Sequence, residues 1–199
     1  MDPRDAPAPR AAERHGRDGI VNAALALLEE GGLPDLSMRR LAAALGVQPS
    51  ALYWHFDNKQ SLLAAVADRI VGAARPVPPS PDRAAEVTAV ATALRDALLA
   101  RRDGAEIVLS THALGLGSDA ALRRLTAALA GDAAPGDEHR RGAVVLLQFV
   151  LGHASLVQQR IQAARFGAYP GDEADVARAT AADFEHGLRL LLAGLRATA

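Results

Sequence analysis

The side chains that could carry out catalysis are scattered along this chain. Histidine, aspartate and serine residues occur without the HExxH, GxSxG or phosphate-loop spacings that mark common classes of enzyme. The densest acidic cluster, Asp172, Glu173 and Asp175, falls at the predicted start of the last helix, where carboxylates complement the helix dipole. The absence of cysteine excludes disulfides, thiolate metal sites and a cysteine nucleophile. We therefore predict no enzyme, no metal site and no cofactor.

A second group of reactive side chains, Tyr53 to Lys59, lies among short predicted helices. Apolar residues at helical spacing predict a first helix that stops at Gly31-Gly32. A second helix is capped by Ser37 and ends at Gly46 in a left-handed turn. A third begins at Pro49, whose missing N–H needs no partner at a helix start, and runs to about residue 55.

The second and third helices, joined across Gly46-Val47, have the spacing of a helix-turn-helix, whose second helix enters the DNA major groove. On spacing alone, three ordinary helices of a bundle are the alternative. A fourth helix is predicted to follow, capped by Asp57 or Asn58. Helical apolar patterning continues to the C-terminus without sustained strand alternation, so the predicted fold class is all-α.

Residues 37–66, SMRRLAAALGVQPSALYWHFDNKQSLLAAV, resemble the DNA-binding domain of TetR-family regulators, and look closest to the tetracycline-repressor branch. The family places Leu-Tyr-x-His-Phe-x-x-Lys after the turn, and residues 52–59 here read LYWHFDNK. The resemblance implies an N-terminal three-helix helix-turn-helix domain and a C-terminal helical domain for ligand binding and dimerisation. It also implies a homodimer on a palindromic double-stranded operator, and repression relieved by a small-molecule effector.

The resemblance assigns roles to individual residues of the motif. Leu52 and Phe56 are expected to hold the third helix against its neighbours. Tyr53, His55 and Lys59 are expected to donate to DNA phosphates, since a phenol, an imidazole and an ammonium group can all do so.

Other residues of the motif are expected to face the base edges, or to pack beside the residues that touch the DNA. Arg39 matches the family position whose arginine reads guanine. For Trp54, packing between helices or behind a phosphate is preferred to a base contact. The residues expected at base edges are Gln48, Pro49, Ser50 and Ala51. Tetracycline repressors carry Glu-Gln-Pro-Thr at these four positions, so their operator sequence is not carried over.

The predicted domains follow from composition. Residues 1–15 are read as a flexible arm, 16–75 as the helix-turn-helix domain, 76–81 as a Pro-rich linker and 82–199 as the C-terminal domain. Arginines of the arm are either solvated or in contact with phosphates. Residues 1–75 hold nine basic and nine acidic side chains, so the case for DNA binding depends on placement and not on net charge.

Two C-terminal helices are expected to form the dimer interface. The stretch 143–151, AVVLLQFVL, is apolar around its whole circumference, and the last helix carries a second apolar stripe. Two-fold self-association would bury this surface. The predicted interface residues are Leu147, Leu151, Phe184, Leu188, Leu191 and Leu195.

The resemblance also bears on the effector. Tetracycline repressors hold a drug–magnesium chelate with asparagine, histidine and glutamate, where this chain has Val90, Val108 and Leu156. Magnesium needs oxygen ligands, so we expect a small, largely apolar effector instead. The predicted lining residues are Leu94, Val108, Thr111, His112, Gln148, Phe149 and His153. A core or interface histidine is the alternative reading of His153.

Two alternative functions stay open at this point: a ligand-independent DNA-binding dimer and an activator. The sequence has no uninterrupted apolar run of about 18 residues and no N-terminal signal pattern. We therefore expect a cytoplasmic protein without a membrane partner.

Overall fold

The computed structural model describes residues 16–117, 119–170 and 172–197, and this part of the chain contains nine α-helices and no strand. The all-α prediction is confirmed, and the predicted arm at residues 1–15 lies outside the described residues. The helices are α1 (Arg17–Gly31), α2 (Met38–Leu45), α3 (Pro49–Tyr53), α4 (Lys59–Gly72), α5 (Arg83–Leu99), α6 (Gly104–Ala113), α7 (Asp119–Ala130), α8 (Asp137–Arg165) and α9 (Glu173–Ala197), with a 3-10 turn at Leu33–Asp35.

The chain divides into two compact units, and the division falls inside α4, between Val66 and Ala67. It lies before the Pro-rich segment that the sequence suggested as a linker. Arg124 of α7 donates to the carbonyl oxygens of Ala74 and Arg75, at 3.2 and 2.6 Å, which ties the end of α4 into the C-terminal unit. The prolines after residue 75 prevent α4 from continuing, but they do not indicate with which of the two units its last turns pack.

The N-terminal unit is built on α1, which packs against α2, while α2 packs against α3. Its buried side chains are large and apolar, and each contributes about 1.5–3 kcal/mol relative to exposure. They include Ile20, Leu28, Leu41, Leu52, Phe56 and Leu62.

The C-terminal unit is organised around α8, which packs against α5, α6, α7 and α9. By length and composition α8 could cross a membrane, since an 18-residue window has a mean hydropathy of 1.3. However, 44% of that window is buried inside the protein. Part of the apolar surface of α8 thus belongs to the core of this unit.

The acidic cluster before α9 serves the helix start. The Asp172 and Asp175 carboxylates each accept a hydrogen bond from the other residue's backbone N–H, at 2.9 and 3.1 Å. Glu173 is hydrogen bonded to Arg165, and this bond lowers the pKa of the Glu173 carboxyl. The cluster therefore has the geometry of a capped and ion-paired helix terminus.

Candidate nucleic-acid interface and ligand site

Local caps fix both ends of α2, the first short helix of the predicted helix-turn-helix. Ser37 Oγ accepts the backbone N–H of Arg40 at 3.1 Å, which caps α2 as predicted. Gly46 ends α2 in the left-handed region, at φ 67° and ψ 29°, which a side chain would disfavour. Val47 N–H then donates to the carbonyl of Ala42 at 3.0 Å, which closes the C-terminal end of α2.

The start of α4 is fixed in the same way. Asn58 Oδ1 accepts the Ser61 N–H at 2.9 Å, and Ser61 Oγ accepts the Asn58 N–H at 3.3 Å. Of the two caps that the sequence left open, Asn58 and not Asp57 makes the contact. Lys59 is therefore placed at the first turn of α4, which begins six residues after the end of α3.

Helix α3 is anchored from one side. Leu52 and Phe56 are buried, as predicted for the residues that hold this helix. Arg17 adds an anchor that the sequence did not reveal: its guanidinium lies 4.2 Å from the centre of the Phe56 ring and donates to the His55 carbonyl at 2.6 Å. No local pattern indicates this contact, because the two partners lie 38 residues apart.

All the predicted DNA-contacting residues keep accessible side chains. Arg39, Gln48, Ser50, Tyr53 and Trp54 are exposed. The half-buried residues are Pro49, Ala51, His55 and Lys59. The expectation that Trp54 packs between helices is wrong, since its side chain is 90% exposed. It follows α3 directly, while the buried positions of that turn are taken by residues 52 and 56.

Two adjacent arginines on α2 differ in their contacts. Arg40 is engaged by the Asp35 carboxylate at 2.9 Å and by that of Glu30 at 3.9 Å. Arg39 is exposed, and its side chain makes no hydrogen bond or ion pair with any residue of the described ranges. The guanidinium of Arg39 is thus available for an external partner, whereas that of Arg40 is used within the fold.

The residues predicted to line an effector pocket are dispersed. Leu94, Val108 and Thr111 are fully packed in the core, and the Thr111 hydroxyl donates to the carbonyl of Ile107 in its own helix. His112 is half-buried, whereas Gln148 is exposed. A cavity between α7 and α8 and another beside the start of α5 are lined by other residues.

Phe149 and His153 are brought together in an aromatic cluster with Phe184. The two phenylalanine rings are stacked with centroids 5.5 Å apart, and the His153 ring centroid lies 4.9 Å from that of Phe184. His153 Nε2 bonds the Thr180 carbonyl at 3.0 Å, which requires the proton on Nε2. The pKa of His153 is lowered by burial, partly offset by the bond to Thr180.

Arg95, which sequence reasoning missed, completes this cluster. Its guanidinium lies 5.0 Å from the Phe184 ring centre, and burial lowers its pKa. The buried Arg95 Nε and His153 Nδ1 have no hydrogen-bond partner within the described part of the chain. Sequence patterns gave no sign of Arg95, because it sits on a helix between apolar core positions.

The predicted dimer-interface residues are largely turned inward. Leu147, Leu151, Phe184 and Leu188 are buried within the protomer, so they have almost no surface to offer a second copy. The two others, residues 191 and 195, are half-buried. The exposed apolar side chains of α8 and α9 include Val144, Val145, Leu156 and Leu190.

The side chains of residues 90, 108 and 156 offer no ligand atoms to a metal ion. Val90 and Val108 are buried and Leu156 is exposed, so the three residues that the resemblance assigns to the chelate positions carry only hydrocarbon. Within the described residues no group of three or more His, Asp or Glu side chains could hold a metal ion.

Comparisons with known proteins match both units. Residues 20–66 match the family model for bacterial regulatory proteins of the tetR family, and residues 75–199 match that for the tetracycline-repressor-like C-terminal domain. The class A tetracycline repressor from transposon 1721 of Escherichia coli is 44% identical over 96 residues. That match covers 47% of this chain and 44% of the repressor, so the chain spans less than half the length of this relative.

Solved structures are similar over nearly the whole chain. The crystal structure of Mycobacterium smegmatis BioQ has a TM-score of 0.81 and 36% identity, covering 92% of this chain and 99% of BioQ. BioQ with its natural double-stranded DNA operator has a TM-score of 0.73 and 35% identity, covering 90% and 97% of the two chains. Streptomyces coelicolor ActR in complex with actinorhodin has a TM-score of 0.74 and 29% identity, covering 92% and 96%. The chain belongs to the tetR family of bacterial regulatory proteins.

Proposed function

We propose that this protein is a DNA-binding transcription regulator, a repressor that a small effector releases from its operator. The observation that carries the proposal is the α2–α3 pair. Helix α2 is capped at both ends, α3 is anchored through Leu52 and Phe56, and accessible donors lie beside α3. The similarity to BioQ with its operator DNA supports the same conclusion. No catalytic step forms part of this function.

Two kinds of DNA contact follow from the side chains. Arg39 has a free planar guanidinium and is proposed to pair with a guanine edge. Tyr53, His55 and Lys59 are proposed to hold phosphates, which sets the docking position without reading sequence. Trp54, given its exposure, is proposed to lie against the DNA backbone.

The residues at the start of α3 are proposed to face the base edges. Gln48 and Ser50 bring exposed polar groups, whereas Pro49 and Ala51 offer only apolar contact, for instance to a thymine methyl group. With so few hydrogen-bonding groups in α3, much of the sequence selectivity falls to Arg39.

The effector is proposed to be small and largely apolar and to bind in the C-terminal unit. The similarity to ActR, solved with actinorhodin, supports a ligand-responsive protein. The hydrocarbon side chains at positions 90, 108 and 156 disfavour a magnesium chelate. Contact of a ligand with Leu94, Val108 or Thr111 would require the core to open, because these residues are packed.

The protein is further proposed to act as a cytoplasmic homodimer. The outward faces of α8 and α9 carry Val145, Leu156 and Leu190, which are 44%, 46% and 61% exposed. Gly152 and Gly194 on the same helices have open space above them, which permits close approach of a second backbone. A two-fold pairing of α8 and α9 with their copies would cover this surface.

Footprinting on the DNA beside its own gene, with a salt titration, tests the regulator. We expect a protected two-fold site about one or more helical turns long, bound more tightly than random DNA. Equal binding of operator and random DNA at every salt concentration would contradict the proposal. A ligand-independent dimer would give the footprint but no release by any effector, and an activator would give it with raised transcription.

A further inference from the structure

A cavity of about 430 Å³ lies between α7 and the first turns of α8. Its volume is within the range of small-molecule sites, about 300–1,000 Å³. It contains none of the residues that sequence reasoning placed at an effector site. The lining residues are Asp119, Leu122, Arg123, Thr126, Ala127, Pro135, Arg140 and Val144.

The walls of this cavity are almost entirely apolar. Leu122 and Ala127 come from α7, and Val144 comes from α8, where its side chain is 36% exposed. Thr126 is nearly buried and adds a single hydroxyl. A ligand filling this space would therefore need a hydrocarbon body, since the walls offer few hydrogen bonds to a polar one.

The charged side chains of the lining favour an anion. The lining residues include two arginines, Arg123 and Arg140, and one aspartate, Asp119, so positive charge is in excess. Arg140 is already hydrogen bonded to Asp137. Arg123 is exposed and makes no hydrogen bond or ion pair with the residues that the structure describes. A free guanidinium beside an apolar wall matches a carboxylate, which it can hold with two parallel hydrogen bonds.

We propose that this cavity binds an amphipathic monocarboxylate, with its apolar body along Leu122, Ala127 and Val144 and its carboxylate on Arg123. Arg140 adds a second, weaker positive charge. The site is pre-formed, unlike the packed core around Val108. The identification of this ligand as the effector rests on the proposed regulatory function, whereas binding itself does not.

Calorimetric titration of the full chain with octanoate and 4-butylbenzoate tests the site. We expect one carboxylate per protomer, and at least tenfold weaker binding of 1-octanol and octylammonium. Arg123→Ala should weaken octanoate binding about tenfold or more. Arg141→Ala is the control, since Arg141 is an exposed arginine next to Arg140 on α8 but does not line the cavity.

A second variant separates binding from folding. Val144→Trp should fill the cavity and abolish binding, and because Val144 is partly exposed the fold should tolerate the larger ring. If its unfolding transition shows that it does not fold, Ala127→Leu, at another exposed lining residue, serves the same purpose.

The outcomes distinguish this site from the regulator itself. The site is overturned if neither carboxylate binds, if 1-octanol binds as tightly as octanoate, or if Arg123→Ala binds like wild type. Operator footprinting of ligand-free protein is independent of all three results. A footprint with no carboxylate binding rejects the cavity alone, and carboxylate binding without a footprint rejects the regulator alone.

Discussion

The two compact units differ in how their proposed sites are made. In the N-terminal unit, the donors lie within a short stretch of chain, and the ends of α2 are fixed by Ser37 and Gly46, which are neighbours in sequence. In the C-terminal unit, the cavity joins α7 to α8, and its walls depend on how the helices pack. A site made of local caps can be read from a sequence, whereas a site made of packing needs coordinates.

The largest expected effect concerns the anchor of α3. Leu52→Ala should destabilise the N-terminal unit by about 2–5 kcal/mol, since it removes a fully buried side chain from a small core. Urea unfolding followed by circular dichroism measures the change. Tyr53→Ala, at the adjacent half-exposed position, should change stability far less. Equal effects of the two substitutions would mean that α3 is not anchored through residue 52.

The next prediction tests whether Arg39 and Arg40 differ as their contacts suggest. Arg39→Ala should cost about 1–3 kcal/mol in binding to the operator and little on random DNA. Arg40→Ala should lose exposed ion pairs worth about 0–1 kcal/mol of stability. Fluorescence anisotropy with labelled operator and random duplexes measures DNA binding by both variants, and urea unfolding measures the stability of Arg40→Ala.

Lys59→Ala is expected to differ from Arg39→Ala in the same anisotropy assay. Loss of a phosphate contact should weaken binding to both duplexes alike and lower the salt slope by about 1. If Arg39→Ala behaved in this way too, Arg39 would be a phosphate contact and the base-reading role would be removed.

A smaller effect is expected at the cap of α2. Ser37→Ala removes the acceptor for the Arg40 N–H and should cost about 0.5–2 kcal/mol of stability. Ser50→Ala, at an exposed serine in α3, is the control and should stay within about 0.5 kcal/mol. A cap effect no larger than the control would show that α2 is positioned by packing alone.

The smallest effect is expected from His153 in the C-terminal unit. Burial holds its pKa below the ordinary value, so as the pH falls the unfolded chain takes up this proton before the folded protein does. Stability should therefore decrease as the pH is lowered through about 6.5, until the folded protein is protonated as well. Melting temperatures of wild type and His153→Gln across this range measure the difference. Wild-type stability relative to His153→Gln should therefore fall as the pH is lowered, and a relative stability that rose instead would contradict the lowered pKa.

The sequence predicted the elements of the N-terminal unit well. The caps at Ser37 and Gly46 and the buried pair Leu52 and Phe56 are signalled by residue type and spacing, and the structure contains each of them. Of the two roles preferred for Trp54, the exposure rules out packing between helices and leaves contact behind a phosphate as a prediction. The packing alternative arose because a large aromatic ring is ordinarily buried, and residue type alone does not show which side of α3 residue 54 lies on.

The C-terminal unit shows what spacing leaves undetermined. An apolar stripe predicts that a helix face is buried, but not whether its own chain or a second copy covers it. For Leu147, Leu151 and Phe184 the protomer itself covers them. The cavity was missed for a related reason: Arg123 and Val144 lie on different helices, and no periodicity within one helix relates them.

The exposure of Trp54 has a practical consequence for spectroscopy. It is the only tryptophan in the chain, and its side chain is open to water. Indole emission from the unlabelled protein therefore arises entirely from the N-terminal unit, at the end of α3. A duplex that stacks against this ring would quench or blue-shift the signal, whereas a ligand confined to the C-terminal unit would leave it unchanged unless it altered α3. The protein thus carries an intrinsic optical reporter of operator occupancy.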